Sequence, residues 1–158
     1  DRFQTAAQLT RVWRNECLRV LYDRLIDAQD RKFIDEKLQS LVEDQAVLKS
    51  HSEVIFRQPS LFGDYRTALD VGEAQIYEDI VDYDAARPIF EEILQEYNEQ
   101  FTRMNLVLFE DAIEHLTRIY RVIRMDKGNA LLVGVGGSGK ASCKIFHNEL
   151  HMLLNVLL

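Results

Sequence analysis

Gly128-Asn-Ala-Leu-Leu-Val-Gly-Val-Gly-Gly-Ser-Gly-Lys140 is the stretch on which the reading of this 158-residue chain turns. Its second half fills the pattern G-x-x-x-x-G-K. A loop of small residues can turn successive backbone N–H groups inward to hold phosphate oxygens, and the positive end of a following helix adds to the field. Lys140 would supply a full charge to the terminal phosphates. Side chains at the glycines would keep the backbone from close approach. The first half, residues 130–133, is a short apolar run that fits a buried parallel strand. Turn, strand, loop and helix are the order that a phosphate-binding loop requires. The candidate nucleotide site is therefore Gly134, Val135, Gly136, Gly137, Ser138, Gly139, Lys140 and Ala141.

The eighth position departs from the general pattern. Ser or Thr there ligates Mg²⁺, but this chain has Ala141, and Ser142 comes one residue late. One residue on a helix is a rotation of about 100°, so Ser142 does not replace the missing hydroxyl. No second apolar strand ending in Asp or Glu follows Lys140. No catalytic residue is assigned, and the chain is expected to be inactive by itself.

Upstream of the loop the sequence reads as helices. Residues 5–27 carry Leu9, Val12, Trp13, Cys17, Val20, Leu21 and Leu25 at spacings of three and four, the mark of one buried face. Trp13 is expected to anchor a core, and Thr5 or Thr10 to cap the helix. A second helix follows Asp30, with Phe33, Ile34, Leu38, Leu41 and Val42 on one face. Residues 44–56 are ambiguous. Residues 59–83 read as an ordered connector, too rich in apolar groups for a free linker. Asp84 is the expected cap of a helix striped by Ile89, Phe90, Ile93, Leu94 and Tyr97, with Pro88 near its first turn. A further helix runs from about 106 to 124, striped by Phe109, Ala112, Ile113, Leu116, Ile119, Tyr120 and Ile123. A last one begins near Lys140. The expected fold is mainly α, with one helix–strand–loop–helix piece of an α/β unit. Two packing units are expected. The helices before residue 58 should join the helix after Asp84, and the strand at 130–133 should sit apart, against the helices at 106–124 and 140 onward.

Composition narrows the class. Two prolines and seven glycines are few for a many-stranded β sandwich. No apolar run approaches the roughly 18–20 residues of a membrane span, and no signal-peptide pattern follows Asp1. Two cysteines make no disulfide framework and fit a reducing compartment. Between Asp64 and Glu99 eleven acids face two arginines, a local −9 within a total of −7, so the remainder carries +2. That block reads as a solvated face, and the acidic balance gives no support to nucleic-acid binding.

Other chemistry-bearing groups have plainer readings. Cys143, His147 and His151 share a helix face at i, i+4, i+8, but they splay over two turns and lack a fourth ligand, so no metal site is assigned. Glu110, Asp111 and Glu114 suit the first turns of a helix. His115 is expected to be packed or at the surface rather than catalytic.

Several motifs together resemble a known family. Asn105-Leu-Val-Leu-Phe-Glu-Asp-Ala-Ile-Glu-His-Leu-Thr-Arg-Ile, followed by the stretch from Gly128 to Lys140, resembles the start of the fourth AAA+ module of a dynein heavy chain, in its axonemal form. Val12-Trp-Arg-Asn-Glu-Cys-Leu-Arg-Val20, with Asp23-Arg24-Leu25, resembles the helical lid of the third module. Phe62-Gly-Asp-Tyr65 and Tyr77-Glu-Asp-Ile80 resemble the connection between them. The resemblance implies a lid over residues 1–58, an acidic connector with one helix over 59–104, and the N-terminal part of a P-loop module over 105–158. It covers roughly residues 5–140. The family often has Gln after the lysine, and residues 143–158 do not continue its pattern, as a splice variant, frameshift or misread intron would produce. The missing initiator Met agrees with a fragment.

The resemblance implies a piece of an ATP-dependent microtubule motor subunit of cilia or flagella, located in the cytoplasm, cytoskeleton or axoneme. Mg·ATP would be bound in a regulatory role in the parent. The partners implied are the rest of the heavy chain, subunits of the dynein complex, and microtubules through the parent; neither nucleic acid nor membrane is implied. The rival readings are a helical protein-interaction module whose glycine loop is non-functional, and a truncated P-loop kinase or GTPase.

Overall fold

A computed structural model describes residues 3–67, 76–131 and 133. The described chain is mainly helical, and it divides into two compact units between Ser60 and Leu61.

In the first unit, α1 spans Ala6–Val20 and α2 spans Ala28–Glu43, followed by the short helices α3 (Ala46–Lys49) and α4 (Ser52–Phe56). Thr5 caps α1 in a reciprocal box: Gln8 N–H donates to Thr5 Oγ1 at 3.2 Å, and Thr5 N–H donates to Gln8 Oε1 at 3.1 Å. Such a box satisfies two N–H groups that a helix start otherwise leaves orphaned. Thr10, the other candidate cap, instead donates to the Ala6 carbonyl at 2.8 Å. The helix stops well short of residue 27, because the chain tightens into a 3-10 turn at Tyr22–Arg24 and is extended at Leu25. Asp27 then caps α2, accepting from Gln29 N–H at 2.7 Å.

The inward face of α1 is not the apolar one. Ala7, Arg11, Arg14, Asn15 and Leu18 are buried, whereas Leu9, Trp13, Val20 and Leu21 are exposed. Trp13 is 41% exposed and is no core anchor. The physical reason lies at the end of α4, where the last carbonyls of a helix have no intrahelical donor. Arg11 reaches them. Its Nη1 donates to the carbonyls of Arg57 at 2.6 Å and Val54 at 3.3 Å, and its Nη2 to that of Pro59 at 2.8 Å. Only a guanidinium brings so many donors in one rigid fork. Asn15 adds a second tie, accepting from the Ser60 hydroxyl at 3.1 Å. Arg14 lies over the Phe56 ring at 4.9 Å and 3.9 Å from Asp35. Burial lowers its pKa and neighbouring Arg11 lowers it further, while Asp35 opposes both. The apolar core here is small and centres on Ala7, Val42 and Ile55. On α2, Leu38 and Val42 face inward as expected, but Phe33 and Leu41 are exposed.

The second unit begins with β1 (Phe62–Gly63), which pairs antiparallel with β2 (Glu78–Asp79) in the register Phe62 opposite Asp79. Ile80 N–H extends the ladder to the Leu61 carbonyl at 2.9 Å. Helix α5 spans Tyr83–Gln100 and α6 spans Glu110–Arg124. The cap of α5 is Asp82, not Asp84, and accepts from Ala85 N–H at 2.8 Å. Pro88 consequently falls in the second turn, where its missing N–H removes one helical bond.

The stripe of α5 is the expected one. Phe90, Ile93 and Tyr97 are buried, with Ile89 and Leu94 packed beside them. Their partners are Leu61, Tyr65 and Ile80 of the strand region and Ile113, Leu116 and Tyr120 of α6. The expectation that α5 packs with the first helices therefore fails, since its apolar face is filled by its own unit. Helix α6 starts at Glu110 rather than near 106. The segment before it runs extended along α5, held where Asn98 brackets Met104 (2.6 and 3.1 Å) and Arg87 Nε donates to the Leu108 carbonyl at 3.2 Å.

The run at 130–133 is not a buried strand among the described residues. Leu131 is 89% exposed and Val133 is 85% exposed, and neither belongs to a ladder. An apolar strand of this kind is stabilised by parallel neighbours and helices on both faces, and no described residue pairs with it.

Candidate functional site

Gly134, Val135, Gly136, Gly137, Ser138, Gly139, Lys140 and Ala141 lie outside the described residues, as do Ser142, Cys143, His147 and His151. What is described is the approach to them: α6, its C-terminal turn, and the groups that hold that turn.

The approach is tightly folded at Gly128. Met125 N–H donates to the Val122 carbonyl at 3.2 Å, and Gly128 N–H to the Met125 carbonyl at 2.8 Å. Lys127 between them takes φ 58°, a left-handed conformation that few non-glycine residues adopt. Asn129 Nδ2 donates to its carbonyl at 2.8 Å. A Cβ on Gly128 would lie 1.7 Å from the Val122 carbonyl oxygen, so glycine is demanded by backbone contact. The turn folds back onto the end of α6 and leads directly into residues 129–131.

The end of α6 is itself gripped from the strand region. Asp64 is fully buried, and its Oδ2 pairs with Arg124 Nε at 2.9 Å. Arg124 is the last residue of α6, and its guanidinium lies over the Tyr77 ring at 5.2 Å. Tyr77 in turn stacks on Phe62 at 6.0 Å. Tyr65 packs its ring against Phe90 at 4.8 Å and Tyr120 at 4.6 Å. Burial raises the pKa of Tyr120; the charge of Asp64 and a hydrogen bond to it add to the rise, and Arg124 opposes it. Tyr65 is pushed well up, chiefly by its burial. Both phenols are thus held neutral beside a carboxylate–guanidinium pair. Gly63 completes the packing, since a Cβ there would fall 1.9 Å from the Tyr65 ring.

The remaining candidates have structural roles. Glu110 and Asp111 occupy the first turn of α6, facing its positive end. Glu114 accepts from the Tyr83 hydroxyl at 2.5 Å and pairs with Arg118 at 2.8 Å. Burial, then that hydrogen bond, raises the pKa of Tyr83. His115 is exposed on α6. Among the described residues no group of three His, Cys, Asp or Glu side chains could hold a metal ion, and no helix is long and apolar enough to cross a membrane.

The sequence places Gly128 in the turn before the loop, as found, and Asp64 and Tyr65 within a motif, but it assigns no role to Asp64, Tyr65 or Arg124. A signal was present for Asp64: an acid set between glycine and aromatic residues.

Residues 104–152 match the family model described as the P-loop containing dynein motor region D4. That match continues past Ser142, where the sequence reading ended the resemblance. The chain is 57% identical to human dynein axonemal heavy chain 10, over 92% of this chain and 3% of that protein. It is 47% identical to the dynein-1-alpha heavy chain of the flagellar inner arm I1 complex of Chlamydomonas reinhardtii, over 90% of this chain and 3% of that one. It is 41% identical to human dynein axonemal heavy chain 2, again over 90% and 3%. The chain thus spans about 3% of the length of the curated relatives it matches. With nine-tenths of its residues aligned to one short segment of these proteins, the chain belongs to the axonemal dynein heavy-chain family.

Proposed function

We propose that the chain is a nucleotide-binding piece of a ciliary or flagellar motor subunit. In this reading residues 1–58 are the helical lid of the third AAA+ module, 59–104 the acidic connector, and 105–158 the start of the fourth module. The observation that carries it is the G-x-x-x-x-G-K loop, placed ten residues after the end of α6 and inside the span matched to a dynein motor region. Backbone N–H groups from Gly134 to Gly139 hold phosphates, and Lys140 neutralises their charge. Mg·ATP suits this donor set, except that Ala141 offers the metal no hydroxyl. Ala141, in place of the hydroxyl that ligates Mg²⁺, favours a regulatory nucleotide over a fuel. The parent would act on microtubules within the axoneme, assembled with the rest of its heavy chain and the dynein complex.

The test is nucleotide-dependent amide exchange in the intact heavy chain. Mg·ATP should protect peptides covering residues 129–142, and Lys140→Ala should remove that protection. Protection that survives Lys140→Ala would overturn the reading. The 158-residue chain alone should bind Mg·ATP weakly by calorimetry. Without strand neighbours for residues 130–133 the binding-competent conformation is a small fraction, and apparent affinity falls by that fraction. Micromolar binding lost in the Lys140→Ala chain would show that the loop is preorganised without them.

A further inference from the structure

We propose that Asn105–Phe109 is an unpaired edge strand, and that an extended segment from elsewhere in the heavy chain completes it. The segment joins α5 to α6 and alternates along its length. Leu106 and Leu108 pack on the core of the second unit, while Asn105, Val107 and Phe109 face out. Val107 is 79% exposed and Phe109 is 57% exposed. A period of two is the mark of a strand with one buried face. Yet no described residue lies beside it as a strand. β1 and β2 pair with each other, and residues 129–131 and 133 belong to no ladder. The ends of the segment are already fixed. Asn98 accepts from the Met104 N–H and donates to the Met104 carbonyl, as an opposing strand would, and Arg87 donates to the Leu108 carbonyl. Successive residues of a strand offer their backbone groups to opposite edges. With Met104 and Leu108 served from α5, Asn105 and Val107 turn theirs to the other edge. Among the described residues neither their N–H nor their C=O groups have a partner. A segment held extended before its partner arrives loses little further freedom on pairing.

The composition of the edge says that it is covered. Met104-Asn-Leu-Val-Leu-Phe109 contains no charge, proline or glycine. Proteins that leave an edge open guard it with charges, proline or a bulge, and an unguarded run of this kind is a template for aggregation. The occupant is defined by what it must match. The backbone groups of Asn105 and Val107 call for an extended main chain rather than a helix. Val107 and Phe109 call for apolar side chains at alternate positions. Past one end, exposed Glu110 and Asp111 call for Lys or Arg; past the other, exposed Arg103 calls for an acid. The source is the rest of the heavy chain. This chain spans about 3% of the length of its curated relatives, and a strand tethered in the same polypeptide acts at a roughly millimolar effective concentration, so a short pairing suffices.

Amide exchange tests the pairing. Relative to peptides of α5, those covering residues 104–109 should exchange at least about tenfold more slowly in the intact heavy chain than in the 158-residue chain. Equal rates would overturn the proposal. Val107→Pro separates pairing from mere burial. It deletes an N–H that has no partner among the described residues, so the urea midpoint of the 158-residue chain should not move. In the intact heavy chain the same variant should return the peptides to the fast rate. Slow exchange that survives it would mean that the cover does not pair through the backbone, and the proposal would fall. Val107→Lys guards against a proline variant that does not fold. It sets a charge against an apolar partner and should speed exchange severalfold; no change would equally count against the proposal. The occupant is identified by placing photoreactive p-benzoylphenylalanine at position 107. Cross-links to an extended, alternately apolar segment within one heavy chain support the assignment. Cross-links to a helix, to a second copy or to another protein would overturn it, as would protection in the 158-residue chain that grows with its concentration.

Discussion

Helices α1 and α5 carry similar apolar periodicity and bury opposite kinds of residue. On α5 the stripe faces the core: Phe90 and Ile93 are enclosed by α6 and the strand region. On α1 the stripe faces outward, and the buried face is led by Arg11, Arg14 and Asn15. The difference teaches that an apolar stripe marks a face in want of a partner, not the face a helix turns toward its own unit. Where the neighbour offers unpaired carbonyls, as the end of α4 does, hydrogen bonding decides the rotation. The three carbonyls that Arg11 serves would cost about 1–3 kcal/mol each if buried unpaired, more in sum than the about 1.5–3 kcal/mol that one exposed leucine side chain loses.

Four measurements break or sharpen this contrast. The largest effect is expected at Phe90. Its replacement by alanine removes a fully buried ring from the second unit and should destabilise that unit by about 3–5 kcal/mol in urea unfolding. Next comes Arg11→Met, which strands the carbonyls of Val54, Arg57 and Pro59. A loss of about 2–4 kcal/mol is expected in the first unit, from charge-assisted bonds at roughly 1.5–3 kcal/mol each with partial relaxation. A loss as small as that of a surface change would remove the polar account of α1.

Alkaline pH should weaken the second unit in particular. Tyr65, Tyr83 and Tyr120 all have raised pKa values, so the folded state keeps protons that the unfolded state releases. Stability is therefore unaffected below the ordinary tyrosine value near 10 and falls as pH rises past it. The urea midpoint of the second unit, followed from pH 9 to about 11.5, should drop over the upper half of that range. A flat profile would contradict the burial of these phenols. The smallest effect is expected at Leu9→Gln. Leu9 is 60% exposed on the outward face, and its change to another helix former should alter stability by no more than about 0.5 kcal/mol. A cost equal to that of Arg11→Met would mean that the faces of α1 have been assigned the wrong way round.

The same contrast explains which features were legible in the sequence. The α5 stripe and most of the α6 stripe could be read because each helix meets partners within its own unit. Phe109 could not, since the chain is still extended there and α6 begins one residue later. Asp82 and Asp84 are both acceptable caps by type, and only the position of the first turn separates them. The phosphate-binding chemistry was legible because it depends on residue type and spacing within seven consecutive residues. Asp64–Arg124 was not, because the partners are sixty residues apart and no periodicity links them. The exposure of Ala130, Leu131 and Val133 departs from the expected buried strand for a related reason: strand propensity is local, but burial depends on what lies alongside.

The Arg11 clasp has a consequence for synthesis. Arg11 and Pro59 are 48 residues apart, and translation proceeds at about 5–20 residues per second. For roughly 2–10 seconds after Arg11 is made, the carbonyls it will bind do not exist. Helix α1 can form in that interval, since Thr5 and Gln8 cap it locally, but nothing yet selects which of its faces turns inward. On the ribosome its apolar side and its arginine side compete on open terms until the last residues of the unit leave the tunnel.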